Sequence, residues 1–105
     1  MSRDPAPVFA ALGDPVRLAL VGRLAGGQPR SLTDLAVDQA VSRQAVTKHL
    51  RVLERAGLAR SRRAGRATVW QADPAAIRLA RDWLADRAAL WDSALARLRA
   101  HVEGG

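Results

Sequence analysis

Apolar residues in the first quarter of the chain recur at helical steps between residues that begin and end helices. Asp14 and Pro15 pair an N-cap side chain with a proline at the first helical position, and Gly26 and Gly27 stop the following segment. The apolar positions of that segment share one helical face: Val16, Leu20, Val21 and Leu24. A shorter helix is predicted over residues 8–13, whereas residues 1–7 and the last few residues are expected to be disordered.

Two further helices are predicted in close succession. Ser31 offers a cap with Asp34 three residues later, and the short helix that it opens is expected to end near residues 38–40. Ser42 caps the next helix, which Gly57 closes. The inward positions of this next helix are Val46, Leu50 and Leu53. Because helices joined by so few residues must cross sharply, residues 31–56 are predicted to form a helix-turn-helix.

The pattern becomes extended after Gly57. Residues 58–63 and 67–72 are two short extended segments around Gly65, and the second contains three residues that favour a strand: Thr68, Val69 and Trp70. Residues 58–72 are therefore predicted to form a β-hairpin, called the wing below. The expected fold class is mainly α with a small β-hairpin, a winged helix-turn-helix followed by a long C-terminal helix.

The last helix is predicted over residues 74–102, after a second cap and proline at Asp73 and Pro74. Such a helix is roughly 40 Å long, more than a domain of this size covers with its own core. Either the helix folds back on its own domain, or it packs against the same helix of a second copy, helped by residues 8–13. We expect the homodimer, with an interface that contains Phe9, Leu12, Ile77, Leu84, Trp91, Leu95 and Leu98.

Composition limits the class of protein. With 105 residues, 49% of them apolar and 26% charged, the chain is expected to fold as one globular domain over residues 8–102. The absence of cysteine excludes disulfides, thiol nucleophiles and thiolate metal sites. No stretch approaches the roughly 18 apolar residues of a membrane span, and no signal peptide begins the chain, so we expect a cytoplasmic protein with no membrane association.

Charge is concentrated in one segment. Residues 43–66 hold eight basic side chains and one acid, Glu54, for a net charge of +7, while the rest of the chain sums to zero. Concentrated positive charge provides the counterion release that dominates binding to nucleic acids, whereas charge that serves solubility is usually spread over both signs. The segment therefore predicts double-stranded DNA as a partner.

The helix that Ser42 caps is the expected recognition helix, because its outward positions are polar or basic: Arg43, Gln44, Thr47, Lys48 and Arg51. Gln44 suits adenine and Arg43 suits guanine, although each side chain has the alternative of binding phosphate. Ser42 lies at a helix N-terminus suited to phosphate, but capping alone also explains it. Arg62, Arg63 and Arg66 flank the wing tip and are expected to reach the minor groove or its phosphates; the alternative is protection of an edge strand.

Two segments resemble the ArsR/SmtB-type family of winged-helix repressors. They are VFAALGDPVR at residues 8–17 and SRQAVTKHLRVLERAGL at residues 42–58, and the resemblance extends to about residue 102. It implies a homodimer that binds an inverted-repeat operator and blocks transcription. It also implies that Ser42, Gln44, Thr47, Lys48 and His49 lie at or near DNA, with a structural role on the flank of the helix as the alternative for His49.

The same resemblance leaves the signal unidentified. Metal sensors of the family carry cysteines at positions that are here residues 34–38, and the last helix offers a single histidine, so we predict no metal site and no cofactor. Phe9, Trp83 and Trp91 either line a pocket for a small-molecule effector or belong to the core. No nucleophile motif or phosphate-binding loop is present, so we expect no enzyme. A non-specific architectural nucleic-acid binder remains the alternative function.

Overall fold

A computed structural model describes residues 4–104 of the chain. Its elements, in chain order, are α1 (Ala6–Leu12), α2 (Pro15–Leu24), β1 (Arg30–Ser31), α3 (Leu32–Ala36), α4 (Arg43–Arg55), β2 (Ala59–Ala64), β3 (Ala67–Ala72) and α5 (Pro74–Glu103). The three strands form one antiparallel sheet in the order β1-β3-β2. The predicted class, a mainly helical winged helix-turn-helix with a long last helix, is confirmed. No helix in residues 4–104 is long and apolar enough to cross a membrane.

Side-chain caps begin the helices where the sequence places them. The Asp14 carboxylate accepts hydrogen bonds from the backbone N–H groups of Val16 and Arg17, at 2.9 and 3.1 Å. The Ser42 hydroxyl accepts one from Ala45 N–H at 3.1 Å, which fixes the start of α4. These bonds satisfy N–H groups that the helices leave unpaired at their first turn. Gly57, with φ at 81°, takes the left-handed conformation that ends α4.

One hydrophobic core lies between the helix-turn-helix, α2 and the sheet. The predicted inner face of α4 is fully buried, since Val46, Leu50 and Leu53 are each 0% exposed. They pack with other buried side chains, which include Leu20, Leu24, Leu35, Leu58 and Trp70. Burial of each large apolar side chain contributes roughly 1.5–3 kcal/mol, so α4 is held to the core along its whole length.

Two helix boundaries differ from the sequence predictions by two residues or more. The helix α1 begins at Ala6, because the Asp4 carboxylate accepts a hydrogen bond from Ala6 N–H at 3.0 Å and Pro7 is tolerated in a first turn. Residues 6 and 7 are therefore helical and not disordered, while residues 1–3 and 105 lie outside the described residues. The helix α3 ends at Ala36, short of the predicted end, and Asp38 beyond it has φ at 61°.

The strand β1 was not predicted. Its two residues pair with β3, Arg30 opposite Trp70 and Ser31 opposite Val69. A strand of two residues shows no alternation in the sequence, and its partner is far along the chain, so neither local pattern nor turn chemistry signals it.

The helix α5 extends well beyond the core. Only Ala76 and Ala80, in its first two turns, are buried, and from residue 81 to residue 103 every side chain is exposed except the half-buried Ala94. The molecule is 68 Å long as a result, against 32 and 20 Å in the other directions. A single chain therefore leaves most of the apolar stripe of α5 in water.

Candidate DNA-binding surface

The outward face of α4 carries the polar side chains expected of a recognition helix. Arg43, Gln44 and Lys48 are exposed, and Thr47 is half-buried because its hydroxyl donates to the Arg43 carbonyl at 3.1 Å. The side chains of Gln44 and Lys48 make no hydrogen bond to any part of the chain that the structure describes, so their polar groups face solvent. The hydroxyl of the exposed Ser42 is engaged as the helix cap. Its predicted contact with phosphate therefore depends on its position at the helix N-terminus.

Arg43 links the two helices of the helix-turn-helix. Its Nη2 donates to the Thr33 hydroxyl of α3 at 2.7 Å, which holds the guanidinium beside the start of α4. A guanidinium has five N–H donors, so this bond leaves donors free for an external acceptor. Thr33 thereby pre-orders the side chain predicted to contact guanine or phosphate.

His49 lies on the flank of α4 and not among the outward side chains. Its side chain is 22% exposed, and its Nδ1 lies 3.3 Å from Arg17 Nη1 and 4.0 Å from an Asp14 carboxylate oxygen. Because a guanidinium only donates, Nδ1 accepts this hydrogen bond in the tautomer that carries the ring proton on Nε2. Arg17 also donates to the Ala11 carbonyl at 2.6 Å. This geometry favours the structural alternative for His49, which ties α4 to the α1–α2 junction.

Arg51 is engaged within the protein. Its Nη1 donates to Glu54 at 2.9 Å, and its guanidinium carbon lies 4.9 Å from the centre of the Trp70 ring. The side chain is about half exposed, at 49%. Arg51 therefore holds α4 against β3, and part of its guanidinium stays accessible. The predicted contact with DNA would use a side chain that already has this internal role.

The wing, whose strands are β2 and β3, presents arginines from its exposed outer half. Arg62 pairs with Val69 and Arg63 with Thr68, and Gly65 at φ 66° forms the turn. Every residue from 62 to 67 is exposed, and the side chains of the three predicted arginines make no hydrogen bond within residues 4–104. Arg60, on β2, is a fourth exposed arginine of the wing that the prediction of DNA contacts omitted, although the concentration of charge includes it.

Known proteins share this sequence pattern and this architecture. Residues 12–62 match a family described as a helix-turn-helix domain. Over 75 residues the chain is 45% identical to the HTH-type transcriptional regulator Rv2034 of Mycobacterium tuberculosis, an alignment that covers 71% of this chain and 69% of that protein. The ArsR-like transcriptional regulator from Rhodococcus sp. RHA1 superposes with a TM-score of 0.75 at 36% identity, covering 95% of this chain and 91% of that one. The chain belongs to the ArsR family of transcriptional regulators.

Members of the ArsR family are DNA-binding regulators and not enzymes, in agreement with the sequence prediction. A further similar fold is the homodimeric winged helix-turn-helix DNA-binding domain Mb0332 from Mycobacterium bovis, with a TM-score of 0.61 at 22% identity over 81% of this chain and 76% of that one. At that identity the likeness concerns the fold alone.

The side chains predicted for an ArsR-type dimer interface lie on α1 and α5. Phe9, Leu12, Ile77 and Leu84 line an open apolar groove of about 480 Å³ between the two helices. Further along α5, the structure leaves Trp91 68%, Leu95 55% and Leu98 59% exposed. Of the three aromatic residues considered for an effector pocket, Phe9 and Trp83 meet edge to face at 5.6 Å, whereas Trp91 is two turns further along the helix.

Two carboxylates of this ArsR-family fold predict sensitivity to acid. The Arg17 and Val16 N–H groups hold the pKa of Asp14 below its ordinary 3.8, and the Ser61 hydroxyl with Arg51 holds the pKa of Glu54 below 4.5. The unfolded chain therefore takes up protons first, so the stabilisation is complete above the ordinary values and is lost as pH falls through the lowered ones.

Urea unfolding between about pH 7 and about pH 3 measures this loss. The double variant Asp14→Asn/Glu54→Gln is expected to lose less stability over the acid range than the wild type. Acid profiles of the two proteins that run parallel would contradict the assignment.

Proposed function

We propose that this chain is a homodimeric repressor that binds an inverted-repeat operator through α4 and the wing. The observation that carries the proposal is that the chain's entire net charge of +7 resides in residues 43–66, whose basic side chains are all exposed. The acids of the chain lie elsewhere, apart from Glu54. A surface of this kind meets phosphates, and the buried inner face of α4 holds the outer face rigidly toward them.

Within the proposed complex, α4 enters the major groove, which admits an α-helix. Gln44 reads adenine at the N6 and N7 atoms, and Arg43 contacts guanine from the position where Thr33 holds it. Lys48 and the N-terminus of α4 at Ser42 bind phosphates, while Arg62, Arg63 and Arg66 engage the neighbouring minor groove. Phosphate contacts set the orientation, and the contacts of Gln44 and Arg43 provide the sequence preference.

In the proposed dimer, the second copy buries the apolar side chains of α5 that a single chain leaves exposed. The groove lined by Phe9, Leu12, Ile77 and Leu84 continues into the exposed stripe that includes Trp91, Leu95 and Leu98. A contiguous exposed apolar surface of this kind marks a protein–protein interface. A symmetric pair would present two α4 helices to two half-sites, and occupancy of a promoter by the pair would block transcription in the cytoplasm.

Selection of bound duplexes from a random pool at a stated salt concentration tests the proposal. We expect an inverted repeat whose half-sites lie about one helical turn, roughly 34–36 Å, apart. Gln44→Ala is expected to relax the preference at one position of each half-site without abolishing binding. A pool that stays random after selection would support the non-specific architectural binder instead.

A further inference from the structure

Glu54 occupies an unusual position, because it is the single acid in a segment with eight basic residues. A carboxylate on a surface that meets phosphates opposes binding by Coulomb repulsion. Removal of its charge alone should therefore strengthen binding to DNA. A role that offsets this cost has to come from what Glu54 contacts inside the protein.

Those contacts join α4 to the wing. One carboxylate oxygen of Glu54 accepts hydrogen bonds from the Ser61 backbone N–H at 3.1 Å and from the Ser61 hydroxyl at 2.6 Å. The other oxygen accepts from Arg51 at 2.9 Å, and Arg51 in turn lies over Trp70 of β3. Glu54 thus holds both a strand of the wing and the side chain that braces the second strand.

Ser61 is the point where the wing leaves the core. Ala59, two residues earlier, is 2% exposed, Ser61 is half-buried, and every residue from 62 to 67 is exposed. The four residue-to-residue steps from Ser61 to Gly65 extend for about 13 Å, so a rotation of about 10° at Ser61 moves the tip by about 2 Å. A two-stranded ribbon without other contacts has little stiffness of its own.

We propose that Glu54 is a positioning residue that fixes the wing relative to the recognition helix, so that both engage one stretch of duplex together. The inference rests on the proposed DNA-binding function. Glu54 itself touches no DNA in this scheme. It determines where Arg62, Arg63 and Arg66 lie when α4 is in the major groove, and its hydrogen bonds to Ser61 outweigh the repulsion that its charge causes.

Two substitutions of Glu54 separate its effect on the position of the wing from the effect of its charge. Glu54→Gln removes the charge and the acceptor that faces Arg51 but keeps an oxygen that accepts from the Ser61 N–H and hydroxyl, whereas Glu54→Ala removes every acceptor. For a selected duplex, we expect Glu54→Gln to bind within about twofold of the wild type or more tightly, and Glu54→Ala to bind about tenfold more weakly. Binding to a non-specific duplex should not weaken in either variant. Fluorescence anisotropy at several salt concentrations measures both affinities.

Hydrogen exchange of the wing amides provides a readout that does not depend on DNA. Amides in residues 61–68 should exchange faster in Glu54→Ala than in Glu54→Gln, while amides of the core helix α2 exchange equally in the two variants, which checks that both are folded. Equal affinity of the two variants for the selected duplex, or equal exchange of their wing amides, would overturn the inference. A wild type that does not distinguish selected from non-specific duplex would instead refute the proposed function, and the inference with it.

Discussion

Replacement of Arg62, Arg63 and Arg66 by alanine is expected to lower the affinity for duplex DNA on the order of 100-fold at about 0.15 M salt. Each arginine is exposed and its side chain makes no hydrogen bond within residues 4–104, so its removal affects binding more than folding. If each arginine neutralises one phosphate, the dimer loses six such contacts and the slope of log K against log salt falls by about 5.4. Titrations at four or more salt concentrations measure the affinity and the slope together.

The matched control removes the same charge elsewhere. Arg78, Arg97 and Arg99 are exposed on α5, outside the basic segment, and their replacement by alanine changes the net charge by the same amount. We expect this control to retain most of the affinity and nearly the whole salt slope. Equal losses in the two triple variants would mean that overall charge, and not the wing, accounts for binding.

The double variant Trp91→Glu/Leu98→Glu is expected to be monomeric at micromolar concentration and to lose about 10²–10⁴-fold in affinity for an inverted repeat. Both side chains are exposed in one chain, at 68% and 59%, so the isolated fold should tolerate the change. In a symmetric pair, however, each substitution occurs twice and places carboxylates in an apolar seam. Sedimentation velocity measures the oligomeric state, and anisotropy measures the binding.

Ala89→Glu/Ala96→Glu is the control for this variant. Both alanines are exposed on α5 and have the same seven-residue spacing as Trp91 and Leu98, but they lie more than a quarter turn from the apolar stripe. We expect the control to sediment as a dimer and to bind like the wild type. A dimer that survives in the Trp91→Glu/Leu98→Glu variant would place the interface elsewhere.

Features decided by neighbouring residues could be predicted from the sequence. The caps at Asp14, Ser42 and Asp73 were predicted because a side-chain oxygen and the N–H groups it binds are two or three residues apart. The buried face of α4 followed from the 3.6-residue period, and the confirmed fold class followed from the order of these elements.

Features that depend on residues far apart in the sequence could not be predicted from it. The pairing of Arg30 with Trp70 joins segments that no local pattern connects. The bonds of Glu54 to Ser61 and of Arg17 to His49 depend on how α4 packs against the wing and against α2. The sequence therefore left Arg51 as a candidate for DNA contact and did not decide between DNA contact and a structural role for His49. A polar side chain at an outward helical position carries no sign of which neighbour will engage it.

The most direct test of the central claim is the competition of one selected duplex against a scrambled duplex of equal length and composition, at about 0.15 M salt. Specific regulators bind their sites roughly 10³–10⁷-fold more tightly than other DNA. We expect a preference within that range for the wild type, and a smaller preference for Gln44→Ala. Equal affinity for the two duplexes would contradict the central claim.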